Sequence, residues 1–401
     1  MRRLLAVVHR AAAVLVGSAL AACGGGGRSE FVPTCTVVVP LSAAEVTTIL
    51  EQAANRALLD GNAFVFSVTN REGVEVGAFG MGGTVGDPTE ARRKALTAAF
   101  LSSNQHSFNT RTAAFIIDDH FPPGLSNTPG GPLYGVQFSA LPCSDVVGAA
   151  GTVFTTGLGL SGDPGSIPLY KGGCLVGALG ADGGTPRDQE RAAWAGALGF
   201  RPDRRIFGSN IFIDGVSLRF VDEMPADAPV TLPFGVLAGA VLTPPMAAPP
   251  PASFPPGSFG GLTVEVLVAP MDSPAVPTPK LLSGDVSAIL DATAALSDRL
   301  RAGIRRPLGS PARMFIAVVD TDGVVLGLIR TPEATFFSLD VAVQKARTAA
   351  FFSSDLLAIS TRALGFLAQG FFPPGLDGEP PGPLAGLQDV LNPLGGTLAL
   401  P

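Results

Sequence analysis

Lys94 and Thr97 stand three residues apart in the run ARRKALTAAFLSS, residues 91–103. On a helix that spacing puts both side chains on one face. A lysine on a face turned into a pocket can pair with a carboxylate. The same lysine turned outward is solvated or caps a helix. Further on, Gly180, Asp182, Gly183 and Gly184 lie in CLVGALGADGGTPRD, residues 174–188. Glycines just ahead of a helix N-terminus allow backbone to approach a ligand or bind an anion there, and Asp182 can bind a polar ligand. The competing reading is a strand-to-helix turn that needs positive φ, with Asp182 stabilising it. The three His and four Cys fall in no CxxC or His/Cys zinc spacing. There is no GxSxG, no HExxH, no Walker loop and no recognisable carboxylate pair. No enzyme chemistry is legible.

Composition narrows the partners. Of 401 residues, 15% are charged, and the net charge of −6 comes with no basic run, which argues against nucleic acid. The first 22 residues read as a signal peptide: Arg2 and Arg3, an apolar stretch, then small residues. LAAC at 20–23 resembles a lipobox, which implies cleavage before Cys23, lipidation of that cysteine and a tether over 23–40. The expected address is the cell envelope, on the periplasmic or outer-membrane face, with the lipid as the membrane partner. No later segment reaches the ~20 apolar residues of a spanning helix. In an oxidising compartment the remaining cysteines can pair. Cys174 follows an apparent Lys171-Gly172-Gly173 turn, so the expected disulfide is Cys35–Cys143, with Cys174 left free.

The elements that would position these residues follow from local signals. Ser42 and Glu45 form a capping box ahead of helical spacing at Val46, Ile49, Leu50, Ala53 and Ala57. Segments 63–69 and 74–80 read as a hairpin. Asp87-Pro88-Thr89-Glu90 opens a second helix, and a third is expected near 108–119. Segment 133–139 suits a strand. Segments 166–170 and 174–181 suit a second hairpin, and Thr185-Pro186 starts a last helix through Leu198. Two hairpins and one strand give an α+β domain with an antiparallel sheet of about five strands flanked by helices.

The domain is written twice. Sliding the chain by 251 positions lays ARRKALTAAFLSS on AVQKARTAAFFSS (342–354), and FPPGL at 121–125 on FPPGL at 372–376. LSAAEVTTIL (41–50) similarly matches LLSGDVSAIL (281–290). A period this long means a duplicated domain, not a solenoid. The expected domains are 41–205 and 280–401, joined by a Pro-rich connector, 206–279, with a hairpin around Asp214-Gly215. The second copy is incomplete, with nothing that matches the first beyond Gln137. The Phe-Pro-Pro-Gly-Leu loop reads as a structural staple copied with the domain.

SIPLYKGGCLVGALGADGGTPRDQE, residues 166–190, resembles the most distinctive motif of the GlcG/HbpS-like haem-binding family. The SVTNREGVEVGAF hairpin and the ARRKALTAA helix match in order and spacing. Ser166 departs from the usual Gly, and Ala181-Asp182 from the usual Val-Ser. The resemblance implies a profilin-like fold, often in a homo-oligomer, and a haem cofactor. One complete site per chain is then expected, unless chains pair to complete another. His106 and His120 are the implied iron ligands, with Tyr134, Tyr170 and Met81 behind them. In the second copy Leu357 and Phe371 replace the two histidines, and the bland reading of each is structural. Lys94 or the glycine turn would meet a propionate or other small-molecule ligand. The function implied is an exported, lipid-anchored protein binding haem or a related tetrapyrrole. The alternative is a non-catalytic binding or assembly module without a cofactor.

Overall fold

The computed structural model describes residues 31–118, 120–134, 136, 157–227, 232–275 and 280–386. The chain divides into Met1–Val32 and one compact unit, Pro33–Pro401. Cys23 and Cys143 lie outside the described residues, as does most of 133–139. Among the described residues no helix is long and apolar enough to cross a membrane.

The first copy begins with helix α1, Ala43–Leu59. The Glu45 carboxylate accepts from the Ser42 backbone N–H at 2.8 Å, and the Glu45 N–H donates to the Ser42 hydroxyl. These contacts satisfy donors that a helix start otherwise leaves unpaired. Strands β1, Val65–Asn70, and β2, Glu75–Met81, form the expected hairpin. Helix α2, Pro88–Leu101, starts at the Asp87 cap, and α3, Thr110–Ile117, at Asn109. Strands β3, Ser166–Lys171, and β4, Cys174–Asp182, precede helix α4, Pro186–Gly196.

Helices α1 and α4 pack on one face of this sheet through Val46, Ile49, Leu50, Phe66, Val68, Leu179 and Trp194. Burying each such aliphatic side chain stabilises the fold by about 1.5–3 kcal/mol. Helix α2 lies on the other face and buries Ala91 and Ala95 through Leu101. Short β5, Phe212–Ile213, and β6, Val216–Ser217, make the hairpin around Asp214-Gly215. Ile211 and Leu218 at its ends join Ala113, Ile116 and Phe121 in a cluster that covers α3.

The connector does more than link. Strand β7, Gly239–Thr243, pairs antiparallel with β2. It closes a sheet of order β3-β4-β1-β2-β7. The sheet therefore has the five strands expected, but its fifth is drawn from the connector. Residues 131–134 lie in a coil and turn, not a strand. Strands β8, Pro256–Phe259, and β9, Leu262–Val268, then join the second copy.

The second copy repeats the first two-thirds of the plan. Helix α5 spans Ser283–Arg299, β10 Phe315–Val319, β11 Val325–Arg330, α6 Ser338–Phe351 and α7 Thr361–Leu367. Its sheet runs β10-β11-β9-β8. The likeness reaches single atoms. A Cβ on Gly77 would lie 2.6 Å from Val46, and one on Gly327 would lie 2.8 Å from Val286. Asn70 and Asp320 accept two backbone N–H groups each in matching turns. Phe121 N–H donates to Pro129 O, and Phe372 N–H to Pro380 O.

The two Phe-Pro-Pro-Gly loops meet each other. Asp377 N–H donates to Asn127 Oδ1 at 3.1 Å, and the Asp377 carboxylate lies 2.9 Å from His120 Nε2. The staple therefore also joins the copies.

The expected disulfide is corrected. Cys35 bonds to Cys174, with Cα atoms 4.7 Å apart. Thr34 approaches the Gly173 backbone so closely that a Cβ there would lie 2.0 Å from its hydroxyl. The N-terminal strap thus passes over the Lys171–Cys174 turn, and the turn that suggested a free Cys174 is what presents it.

Candidate functional site

The site is assembled on α2 from the residues that α2 buries. Lys94 and Thr97 are both fully buried. Lys94 Nζ donates to Asp182 Oδ1 at 2.8 Å and also contacts the Asp163 carboxylate and Gln189 Oε1. An ammonium has three protons and no acceptor, so these partners use all of its donors. Asp182 is the last residue of β4, and its other oxygen accepts the Asp87 N–H at 2.8 Å. One carboxylate therefore links the lysine to the start of the helix that carries it. Thr97 Oγ1 donates to Arg93 O and accepts the Ser161 N–H at 2.7 Å. Ser161 in turn contacts Glu90.

The structure thus brings Lys94 and Asp182 together, with Thr97 one turn further along. Glu90, Ser161, Asp163 and Gln189 complete the cluster and were missed from the sequence. Glu90 sits one turn before Lys94 on α2, so helical spacing could have found it. Ser161 and Asp163 arrive on a coil segment that no local signal places against α2.

The glycines do other work. A Cβ on Gly180 would lie 2.1 Å from Ala91 O and 2.7 Å from Ala95 N. Gly180 is thus where α2 rests directly on β4. Gly183 has φ +121° and lies against Gly86, and Gly184 faces the Phe64 ring. All three let protein approach protein. Gln189 Nε2 donates to Gly184 O, which fastens this turn to α4.

A second ion pair borders the cluster. Arg111 Nε lies 2.8 and 2.9 Å from the two Glu190 oxygens, and Arg111 Nη1 lies 3.0 Å from Asp222. Burial pushes the Glu190 pKa up, against the opposing pull of Arg111. Burial also opposes the Arg111 charge, yet the Glu190 hydrogen bonds outweigh it and raise its pKa.

Both histidines are engaged elsewhere. His106 is buried, with Nδ1 2.9 Å from Ser103 Oγ and Nε2 3.0 Å from Leu101 O. Burial first, then the charge of Arg305, hold its pKa well below the usual imidazole value. His120 places Nδ1 2.6 Å from Thr128 O and Nε2 against Asp377. Tyr170 is buried with its hydroxyl directed to Ser103 O and His106 O, and burial raises its pKa. Among the described residues no group of three or more His, Cys, Asp or Glu could hold a metal ion.

The family model described as "Haem degrading protein HbpS-like" matches residues 41–198 and 290–400. The chain belongs to the HbpS-like family. Both matched regions fall on the copies described above, so the family domain occurs twice. Similar solved structures include a PduOC–haem complex at 22% identity, covering 40% of this chain and 96% of that one, with TM-score 0.30. The Klebsiella pneumoniae protein ORFY is 21% identical, over 42% of this chain and 95% of its own, with TM-score 0.30. HbpS is 19% identical, over 43% and 97%, with TM-score 0.28. A comparison with curated proteins returns no match.

The family domain is complete only in the first copy, and the paired lysines show the consequence. Lys94 is buried against Asp182 and Gln189, whereas its counterpart Lys345 is exposed. No residues equivalent to β4 and α4 follow α6 among those described.

Proposed function

We propose that the protein is an exported, lipid-anchored member of the HbpS-like family whose first copy binds haem or a related tetrapyrrole. The observation that carries this reading is the family match over residues 41–198. The described imidazoles do not fit as ligands to haem iron, because both ring nitrogens of His106 and of His120 already have partners. No step is therefore routed through the iron. Lys94 offers a cation for a ligand carboxylate, which would have to displace Asp163, the most exposed of its acidic partners.

A haemin titration of the chain from residue 28 onward tests this, with metal-free protoporphyrin IX and His106→Ala and His120→Ala in parallel. The expected result is a saturable, one-to-one Soret shift that survives both substitutions, with saturable binding of the metal-free ring. Only unsaturated spectral change would remove the haem reading.

Export is supported by the signal pattern of residues 1–22 and by the Cys35–Cys174 disulfide, which suits an oxidising compartment. Cys23→Ala should move the protein from the membrane fraction to the soluble fraction. A protein that stays with the membrane would count against the lipid anchor. A cofactor-free assembly module remains the second reading, favoured by the saturated imidazoles.

A further inference from the structure

The second copy ends where the first continues, and the first copy shows what is missing. There, β4 pairs antiparallel with the outer edge of β1. Helix α2 lies over β4, touching it at Gly180. The loop Ser103–His106 is held by the β3–β4 hairpin through the Tyr170 hydroxyl and the Leu175 N–H.

In the second copy β10 occupies the β1 position and pairs with β11. Among the described residues no strand lies on its other edge. Helix α6 overhangs that edge, and Ala346, Ala349 and Ala350 are only half-buried, whereas their counterparts Ala95, Ala98 and Ala99 are fully buried. Phe351 is 58% exposed, against 2% for its counterpart Phe100. In the loop equivalent to Ser103–His106, Leu356 is 97% and Leu357 57% exposed. Helix α7 buries no residue.

The edge itself is unguarded. Phe315-Ile316-Ala317-Val318-Val319 has no charge, proline or glycine, the features by which sheets ordinarily block edge pairing. The first sheet's edge strand β3 carries Pro168. The patch is continuous with this edge and apolar, which marks an interaction surface.

We propose that this face binds the same face of a second copy of the chain. Exchange of the β3–β4 third between chains cannot fill it, because each chain has one such third and two domains. A twofold axis can. It sets β10 antiparallel to its mate, the orientation that β4 takes beside β1, and puts a partner strand under each α6. Four strands from each chain then form one continuous sheet. The contact is isologous, so it closes at two chains instead of propagating. This inference is independent of the haem reading.

Sedimentation equilibrium on the chain from residue 28 onward tests it, beside the variant Leu356→Glu/Leu357→Glu. The expected result is two chains per particle for the parent and one for the variant, with unchanged far-UV circular dichroism. A one-chain parent would overturn the proposal, as would a two-chain particle indifferent to the substitutions. Phosphatidylethanolamine/phosphatidylglycerol vesicles that capture the unlipidated parent and not the variant would assign the face to lipid instead. Should the double substitution disturb folding, Ala317→Cys in a Cys143→Ser background reads the same contact. The twofold axis at the strand midpoint brings residue 317 against its own mate, so mild oxidation should give a covalent dimer. No such dimer would count against the proposal.

Discussion

The two equivalent lysines allow a test within one chain. Lys94→Met removes the charge and keeps much of the aliphatic stem. Lys94 has no exposed surface, and its loss strands Asp163 and Asp182 and leaves Gln189 Oε1 without its donor. Breaking a fully buried pair in this way costs ~3–5 kcal/mol. Here the carboxylates retain 47% and 16% side-chain exposure, so water can rehydrate them in part. The expected loss is about 2–3 kcal/mol. Lys345→Met makes the same chemical change at an exposed position, where a surface substitution costs within about 0.5 kcal/mol. The assay is equilibrium urea unfolding followed by fluorescence. Trp194 is the only tryptophan and is buried on α4 of the first copy, so it reports the domain that contains Lys94. Equal shifts from the two substitutions, or a larger one from Lys345→Met, would refute the reasoning that the missing third leaves the second lysine without partners.

Three further outcomes are expected. Peptide mapping without reductant should recover Cys35 joined to Cys174, and Cys35→Ser should lower stability by about 2–4 kcal/mol; a Cys35–Cys143 peptide would contradict the structure. Gly180→Ala should destabilise by ~3 kcal/mol, because its methyl would overlap the Ala91 backbone and not a movable side chain; a silent substitution in a thermal melt would show that α2 does not rest there. The folded His106 pKa is depressed, so the unfolded chain binds the extra proton first. Its contribution is present above the ordinary imidazole pKa of ~6.5 and is lost as pH falls below it, by up to ~1.4 kcal/mol per pH unit. His106→Gln should flatten that part of the stability profile, and an unchanged slope would mean that the ring titrates in the folded protein.

The sequence alone determined the features that local physics enforces. The Ser42–Glu45 box, the Asp87-Pro88 and Thr185-Pro186 starts and the two hairpins are set by residues a few positions apart, and each stands where it was expected. The duplication was equally legible, because a repeated core demands repeated core residues. The Lys94–Thr97 face could also be read from helical spacing. Tertiary structure decided what those residues meet. The fifth strand came from the connector, because an edge of β2 can pair with any segment that reaches it. Cys35 chose Cys174 over Cys143 because the strap crosses that turn, a proximity across 139 positions. Asp163 and Ser161 reach α2 on a coil, and His106 and His120 turned inward to protein partners. Identical sequence around Lys94 and Lys345 gave one buried and one exposed ammonium. A side chain's environment is set by what packs over it, and only the first copy has the strands that do so.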